Sequence, residues 1–281
     1  MGLYEISLAT VVGINIILAV GLNLITGYCG QISLGHAAFY GIGAYTVALL
    51  AKIGWPIYLT LGAGFLLAGL AGAIIGLTSL RVREDFLAIV TMGVAFLFVG
   101  IVRQQEFLGG EMGISNIPSH GMTKIAYLCL VLLFAGLAIL FSWHVKRSWM
   151  GFAFDAVADD EKTAMVLGLD VKSYKLTAFA MGTAMAGLAG GLYAYYTRFI
   201  VPDTFGFIES ITILSMVAVG GIGSTFGVVV ATILLVLMPE FFRFINDYKL
   251  LLYGVLLFSV MRFAPEGLSG FFKRMVKKKE G

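Results

Sequence analysis

A chain of 281 residues that is 59% hydrophobic and 12% charged cannot cover a water-soluble surface, where about a quarter of residues carry charge. Its mean hydropathy of +0.95 and its repeated apolar runs make lipid the solvent for a single transmembrane domain over 1–281. A net charge of +3, with Lys273, Arg274, Lys277, Lys278 and Lys279 gathered at the C-terminal end, leaves no surface for nucleic acid.

The first apolar run, 7–25, has neither a basic flank ahead of it nor a small-residue cleavage site, so it reads as a retained span. Further runs lie at 37–51, 57–80, 86–102, 125–143, 174–197, 208–219, 226–242 and 250–262. These nine candidates predict an all-α polytopic membrane protein of about 8 to 10 transmembrane helices. Placing the basic tail, 263–281, in the cytoplasm puts 13 of the 19 Lys and Arg residues inside and the N-terminus outside. Such a tail contacts anionic lipid or merely fixes topology. Cys29 and Cys129 then fall on opposite faces, which predicts no disulfide and no metal site.

Two segments are broken by glycine. Gly27, Gly30, Gly35, Gly41 and Gly43 interrupt GYCGQISLGHAAFYGIGAY, and Gly220, Gly221, Gly223 and Gly227 interrupt VGGIGSTFG. Each follows a run entering from outside and precedes one that returns, a weak internal repeat. Non-helical backbone at membrane depth survives only where protein or a water-filled cavity covers it, so paired interruptions point to a translocation path. Its candidate residues are Asn23, Gln31, Ser33 and His36 in the first half, with Gly220, Gly221, Gly223 and Ser224 in the second. His36 either bonds a neighbouring carbonyl and fixes a bend or acts as a gate or substrate contact.

Small residues recur at every fourth position as Gly64, Ala68, Gly72 and Gly76, and again as Ala178, Gly182, Ala186, Gly190 and Ala194. That interval predicts two helices packed closely inside the bundle. Between them the outer loop 103–124 carries Gly109, Gly110 and Gly113 for tight turns and Pro118 for a rigid exit, and offers a surface to an external partner.

The longest polar stretch, 144–173, is expected in the cytoplasm. Within it Asp159 or Asp160 can cap a short helix, Glu161 adds negative charge to its first turn, and Gly168 ends it. So short a helix needs something packed against it, and the expected partner is another protein. No span places Asp, Glu, Lys or Arg near its middle, since Glu209, Glu240, Lys175 and Lys249 all stand at span ends, and there is no phosphate-cradling loop. A conduit without an energy source of its own is either facilitative or driven by another subunit.

The runs GYCGQISLGHAAFYGIGAYT, EDFLAIVTMG, GGEMGISNIP, SWMGFAFDAVADDEKTAMVLGLDVKSYKLTAF and FGFIESITILSMVAVGGIGSTFG follow one another along nearly the whole chain. Together they resemble the permease subunit of ATP-binding-cassette importers for branched-chain amino acids, nearest the M-type member of the permease pair. The resemblance implies a multi-pass transport subunit of the inner (cytoplasmic) membrane, not an enzyme, with no cofactor. It implies a second permease subunit as heterodimer partner, two ATP-binding subunits that hydrolyse ATP, and a periplasmic or external protein delivering leucine, isoleucine or valine. It further implies that the short helix docks in a cleft of the ATPase, through positions that here are Asp159, Asp160, Glu161, Ala164 and Gly168. Lys162 and Thr163 stand where relatives often show small or apolar residues. Two other readings stay open: the same architecture carrying another neutral or aromatic amino acid, urea, an amide or a sugar, and a stand-alone facilitative channel or carrier.

Overall fold

The computed structural model describes residues 2–79, 84–118 and 121–241, with a few isolated positions beyond them. Among the described residues, ten α-helices run in order: α1 Leu3–Leu22, α2 His36–Lys52, α3 Ile57–Ser79, α4 Glu84–Gln104, α5 Lys124–Arg147, α6 Trp149–Asp159, α7 Glu161–Val166, α8 Val171–Thr197, α9 Phe207–Gly220 and α10 Thr225–Phe241. α1 continues as a π-helical turn, Asn23–Tyr28, and short 3-10 turns occupy Glu106–Leu108, Gly110–Met112 and Pro202–Phe205. The first eight apolar runs of the sequence fall on α1, α2, α3, α4, α5, α8, α9 and α10. The ninth run, 250–262, and the basic tail, 263–281, lie outside the continuously described residues. The polar stretch 144–173 holds not one short helix but two, α6 and α7, because Ala153, Phe154 and Val157 give α6 an apolar face to bury.

Among the described residues, six helical stretches are long and apolar enough to cross a bilayer, including Leu3–Tyr28, Lys124–Arg147 and Val171–Thr197. Their burial differs: 72% of the Leu3–Tyr28 window is covered by the chain itself, against 22% for Phe86–Gln104, so α1 is an inner helix and α4 an outer one.

α8 is the axle, packed on α3, α2 and α1. The predicted stripe on α3 does meet α8, Gly72 lying against Thr183 and both Gly64 and Ala68 against Gly187. The stripe predicted on α8 faces elsewhere. Gly182 lies on the Gly21 carbonyl of α1, and Gly190 on the Tyr40 carbonyl of α2. α8 therefore carries small residues on two faces, a requirement for any helix with close neighbours on both sides. The row through Thr183 and Gly187 is the one that sequence spacing missed.

The 103–124 loop is pinned. Ile114 and Ile200 exchange backbone hydrogen bonds of 2.9 and 3.0 Å, the Ile117 N–H donates to the Arg198 carbonyl at 3.2 Å, and Arg103 pairs with Asp203 at 2.5 Å. Gly109, Gly110 and Gly113 take positive φ, as the turns require.

Close packing at α8 sets a test. A methyl added at Gly190 would overlap the Tyr40 carbonyl and approach the Ala44 amide at 2.8 Å, and neither backbone can yield, whereas Gly100 has open space around it. Gly190→Val is expected to cost about 3 kcal/mol or to prevent folding, and Gly100→Val to stay within about 0.5 kcal/mol. Thermal unfolding of both variants in detergent measures the difference, and equal stability would remove the packing argument.

Candidate functional site

The site grows from two helices that stop inside the protein. α1 widens into its π-helical turn and ends at Tyr28, and the chain stays non-helical until α2 begins at His36. π-helical turns recur where a helix has been modified for function. The backbone of the interruption is satisfied piecemeal. Gln31 N–H donates to the Ile25 carbonyl at 3.1 Å, the Thr26 hydroxyl to the Gln31 carbonyl at 3.0 Å, Leu34 N–H to Thr91 at 2.9 Å, and Ala37 N–H to Ser210 at 3.0 Å. Gly30 turns at φ +72° directly over Ala158 of α6, and a side chain there would meet both a forbidden dihedral and the α6 backbone.

The second interruption separates α9 from α10. Gly221 and Gly223 adopt φ of +102° and +85°, and Ser224 receives the Gly227 N–H at 3.3 Å. The structure brings the two interruptions into contact: Gly223 N–H donates to the Asn23 side chain at 3.0 Å, and Gly27 packs against the Gly223 backbone. Beside this junction the Tyr28 hydroxyl lies 2.5 Å from the Thr225 hydroxyl and 2.8 Å from that of Ser142 on α5. Lys146 Nζ stands 4.8 Å from the centre of the Tyr28 ring. Tyr28 and Ser142 were invisible in the sequence as site residues, because their only signal was a hydroxyl in an otherwise apolar run.

Asn23, Gln31, Ser33 and His36 are all fully or almost fully buried. Each keeps at least one polar atom without a hydrogen-bond partner among the described residues: Asn23 Nδ2, Gln31 Oε1, Ser33 Oγ and the His36 nitrogens. The His36 ring lies beside the Leu18 backbone with neither nitrogen in good hydrogen-bond geometry. An unsatisfied buried polar group costs about 1–3 kcal/mol, so four on one short segment mark a place where water, a ligand or motion completes the bonding. Gly220 and Gly221 are buried, Gly223 and Ser224 half-buried.

α7 is formed by its two ends. The Asp160 side chain accepts from Lys162 N–H at 2.9 Å, Thr163 N–H at 3.4 Å and the Thr163 hydroxyl at 2.8 Å. These donors, the Thr163 hydroxyl foremost, hold its carboxyl below the usual carboxylate range. At the other end Gly168 N–H donates to the Met165 carbonyl at 3.0 Å and Leu169 N–H to that of Ala164 at 3.1 Å, with Gly168 at φ +85°. Asp159 is the exposed last residue of α6, and Ala164 is buried beneath α7.

Glu161 turns inward. Its carboxylate pairs with Lys175 on α8, and these side chains are only 29% and 10% exposed. The Lys175 carbonyl in turn accepts from Gln31 Nε2 at 2.9 Å. A connection of three residues thus joins α7 to the first interruption, with Ala158 against Gly30 as a second contact beside it. What α7 and its C-cap present outward is an apolar end, Met165, Val166 at 87% exposure and Leu167, beside the exposed Lys162 and Thr163.

Glu209 stands at a helix end, as expected, in the first turn of α9, and is half-buried there. The chain after α8 dips inward through Pro202–Phe205, with Phe205 buried against Tyr40 at a ring distance of 5.0 Å. α9 therefore starts beside the head of α2, where Ser210 accepts from Ala37. Pro202 and Gly206, which prevent a straight run into α9, were the available signal.

The chain matches the family described as branched-chain amino acid transport system / permease component over residues 5–261. It is 35% identical to the high-affinity branched-chain amino acid transport system permease protein LivM of Escherichia coli (strain K12), over 98% of this chain and 72% of that one. The probable LivM of Methanocaldococcus jannaschii is 23% identical over 91% and 90% of the two chains. LivH of Escherichia coli (strain K12), also a permease protein of such a system, is 25% identical over 90% of each. No solved structure matches it. With interrupted helices meeting inside an all-α membrane bundle and a family match spanning nearly its whole length, this chain belongs to the branched-chain amino acid transport permease family.

Proposed function

We propose that this chain is a conduit subunit of an ATP-driven importer for branched-chain amino acids in the inner (cytoplasmic) membrane. Its partners are a second permease, two ATP-binding subunits that carry out the hydrolysis, and an external substrate-binding protein. The observation that carries this reading is the connection from Glu161 through Lys175 to Gln31, which ties a small surface helix to the interrupted backbone. In this reading α7 faces the cytoplasm and the 144–173 segment is the coupling loop.

The exposed Met165, Val166 and Leu167 supply the apolar contact for an ATP-binding subunit. Asp160 and Gly168 act by shaping α7, and Ala164 seats it on the bundle. When the ATPase moves α7, the half-buried ion pair carries the displacement to α8 and Gln31, and Ala158 presses on Gly30. The Asn23 to Gly223 hydrogen bond makes both interruptions respond together. The unpaired polar atoms of Asn23, Gln31, Ser33 and His36 then serve the charged end of a passing amino acid. Brief contacts suffice, since tight binding would slow release.

Reversing the charge in Glu161→Lys places two cations together in a poorly hydrated site and is expected to lower leucine uptake by the assembled importer roughly tenfold. Glu161→Lys combined with Lys175→Glu restores the attraction and should recover uptake to within roughly threefold of wild type. If the double variant is as inactive as the single, the linkage is not the coupling route. Alone in leucine-loaded liposomes, the purified chain is expected to show no flux; measurable flux would instead support a stand-alone channel.

A further inference from the structure

Glu209 borders a cavity of about 350 Å³ that the importer reading does not use. Its other walls include Asn15, Tyr40, Tyr193 and Tyr196, with Val11 and Met216 giving an apolar side. Glu209 is half-buried in the first turn of α9, and Tyr40 and Tyr193 line the cavity with it.

A half-buried carboxylate within the membrane-crossing stretch Pro202–Gly220 is costly, and such groups in membrane proteins mark ligand or ion pathways. Carboxylate, tyrosine faces and an apolar side together fit a primary ammonium carrying a branched aliphatic chain. The volume is at the small end for ligand sites, as such a solute needs. The adjoining cavity, about 430 Å³, has the opposite sign, lined by Lys124 and Arg198. The Tyr196 hydroxyl, donating to the Ser7 carbonyl at 3.4 Å, stands between the two. These two neighbouring cavities thus differ in the sign of their charged lining.

We propose that the Glu209 cavity is a binding site within this single chain for the α-ammonium end of the transported amino acid, resting on the importer reading for the identity of that cargo. α9 then has a role of its own. Glu209 is in its first turn, Ser210 holds the head of α2, and its other end, Gly220–Gly221, adjoins Gly223 at the junction of the interruptions. An occupant at Glu209 thus rests on the helix that leads to that junction.

The test is thermal protection of the full chain in nanodiscs by isopentylamine, which has the ammonium and branched chain, against 4-methylpentanoate, which has a carboxylate instead. Isopentylamine is expected to raise Tm and 4-methylpentanoate not to. Glu209→Gln should raise the half-saturating amine concentration at least about tenfold. Equal protection by both compounds, or unchanged amine protection in Glu209→Gln, overturns the site. Should Glu209→Gln not fold, Glu209→Asp serves: it must keep the preference for amine with weaker half-saturation, and loss of the preference or no change at all overturns the proposal. Uptake by the wild-type importer, measured separately, reports on the importer reading itself, so the two fail independently.

Discussion

The hydrogen bond from the Gly223 N–H to the Asn23 side chain, 3.0 Å long, closes one interrupted helix over another and sets the plan of the molecule. Backbone that leaves helical geometry in a bilayer loses its internal partners, and lipid offers none in return. Each interruption here supplies part of the cover for the other, while Thr91 and Ser210 complete the first from α4 and α9. Gly27 and Gly223 permit the approach because neither has a side chain to hold the strands apart.

Around that junction, packing is governed by how little α8 projects. Gly182 and Gly190 let α1 and α2 come to backbone contact on one side, and Gly187 lets α3 do the same on another. In lipid, where burying an apolar side chain against another gives no hydrophobic gain, such close contact is the main source of helix association. Bulky residues go to the rim instead, where Leu66, Leu70 and Ile74 of α3 are exposed. The result is a tight inner set, α1, α2, α8 and α9, with α4 and α5 more loosely outside it.

The polar groups have separate tasks. The Glu161 and Lys175 pair is poorly hydrated, so the attraction is offset by desolvation, and its value lies in holding α7 to one position on α8. Asp160 spends its lone pairs on the first turn of α7. The exposed Met165, Val166 and Leu167 at the end of α7 offer an apolar surface suited to burial against a partner, with Lys162 exposed beside it. Glu209, by contrast, lines a cavity with Tyr40 and Tyr193.

Much of this was legible from residue order alone. Long apolar runs fixed the helices because lipid demands about 20 apolar residues per crossing. Asp160 and Gly168 marked the ends of α7 because capping is a local interaction between near neighbours. The two interruptions showed as glycine clusters for the same reason. Contacts between distant segments were decided only by the tertiary structure: Gly223 on Asn23, Gln31 on Lys175, Tyr28 on Ser142 and Thr225. The cavity that Glu209 shares with Tyr40 and Tyr193 was of this kind too, since those residues lie on separate helices. Spacing along a chain records which face of a helix a residue occupies, but not what that face meets, because each partner is chosen by the packing of the whole bundle.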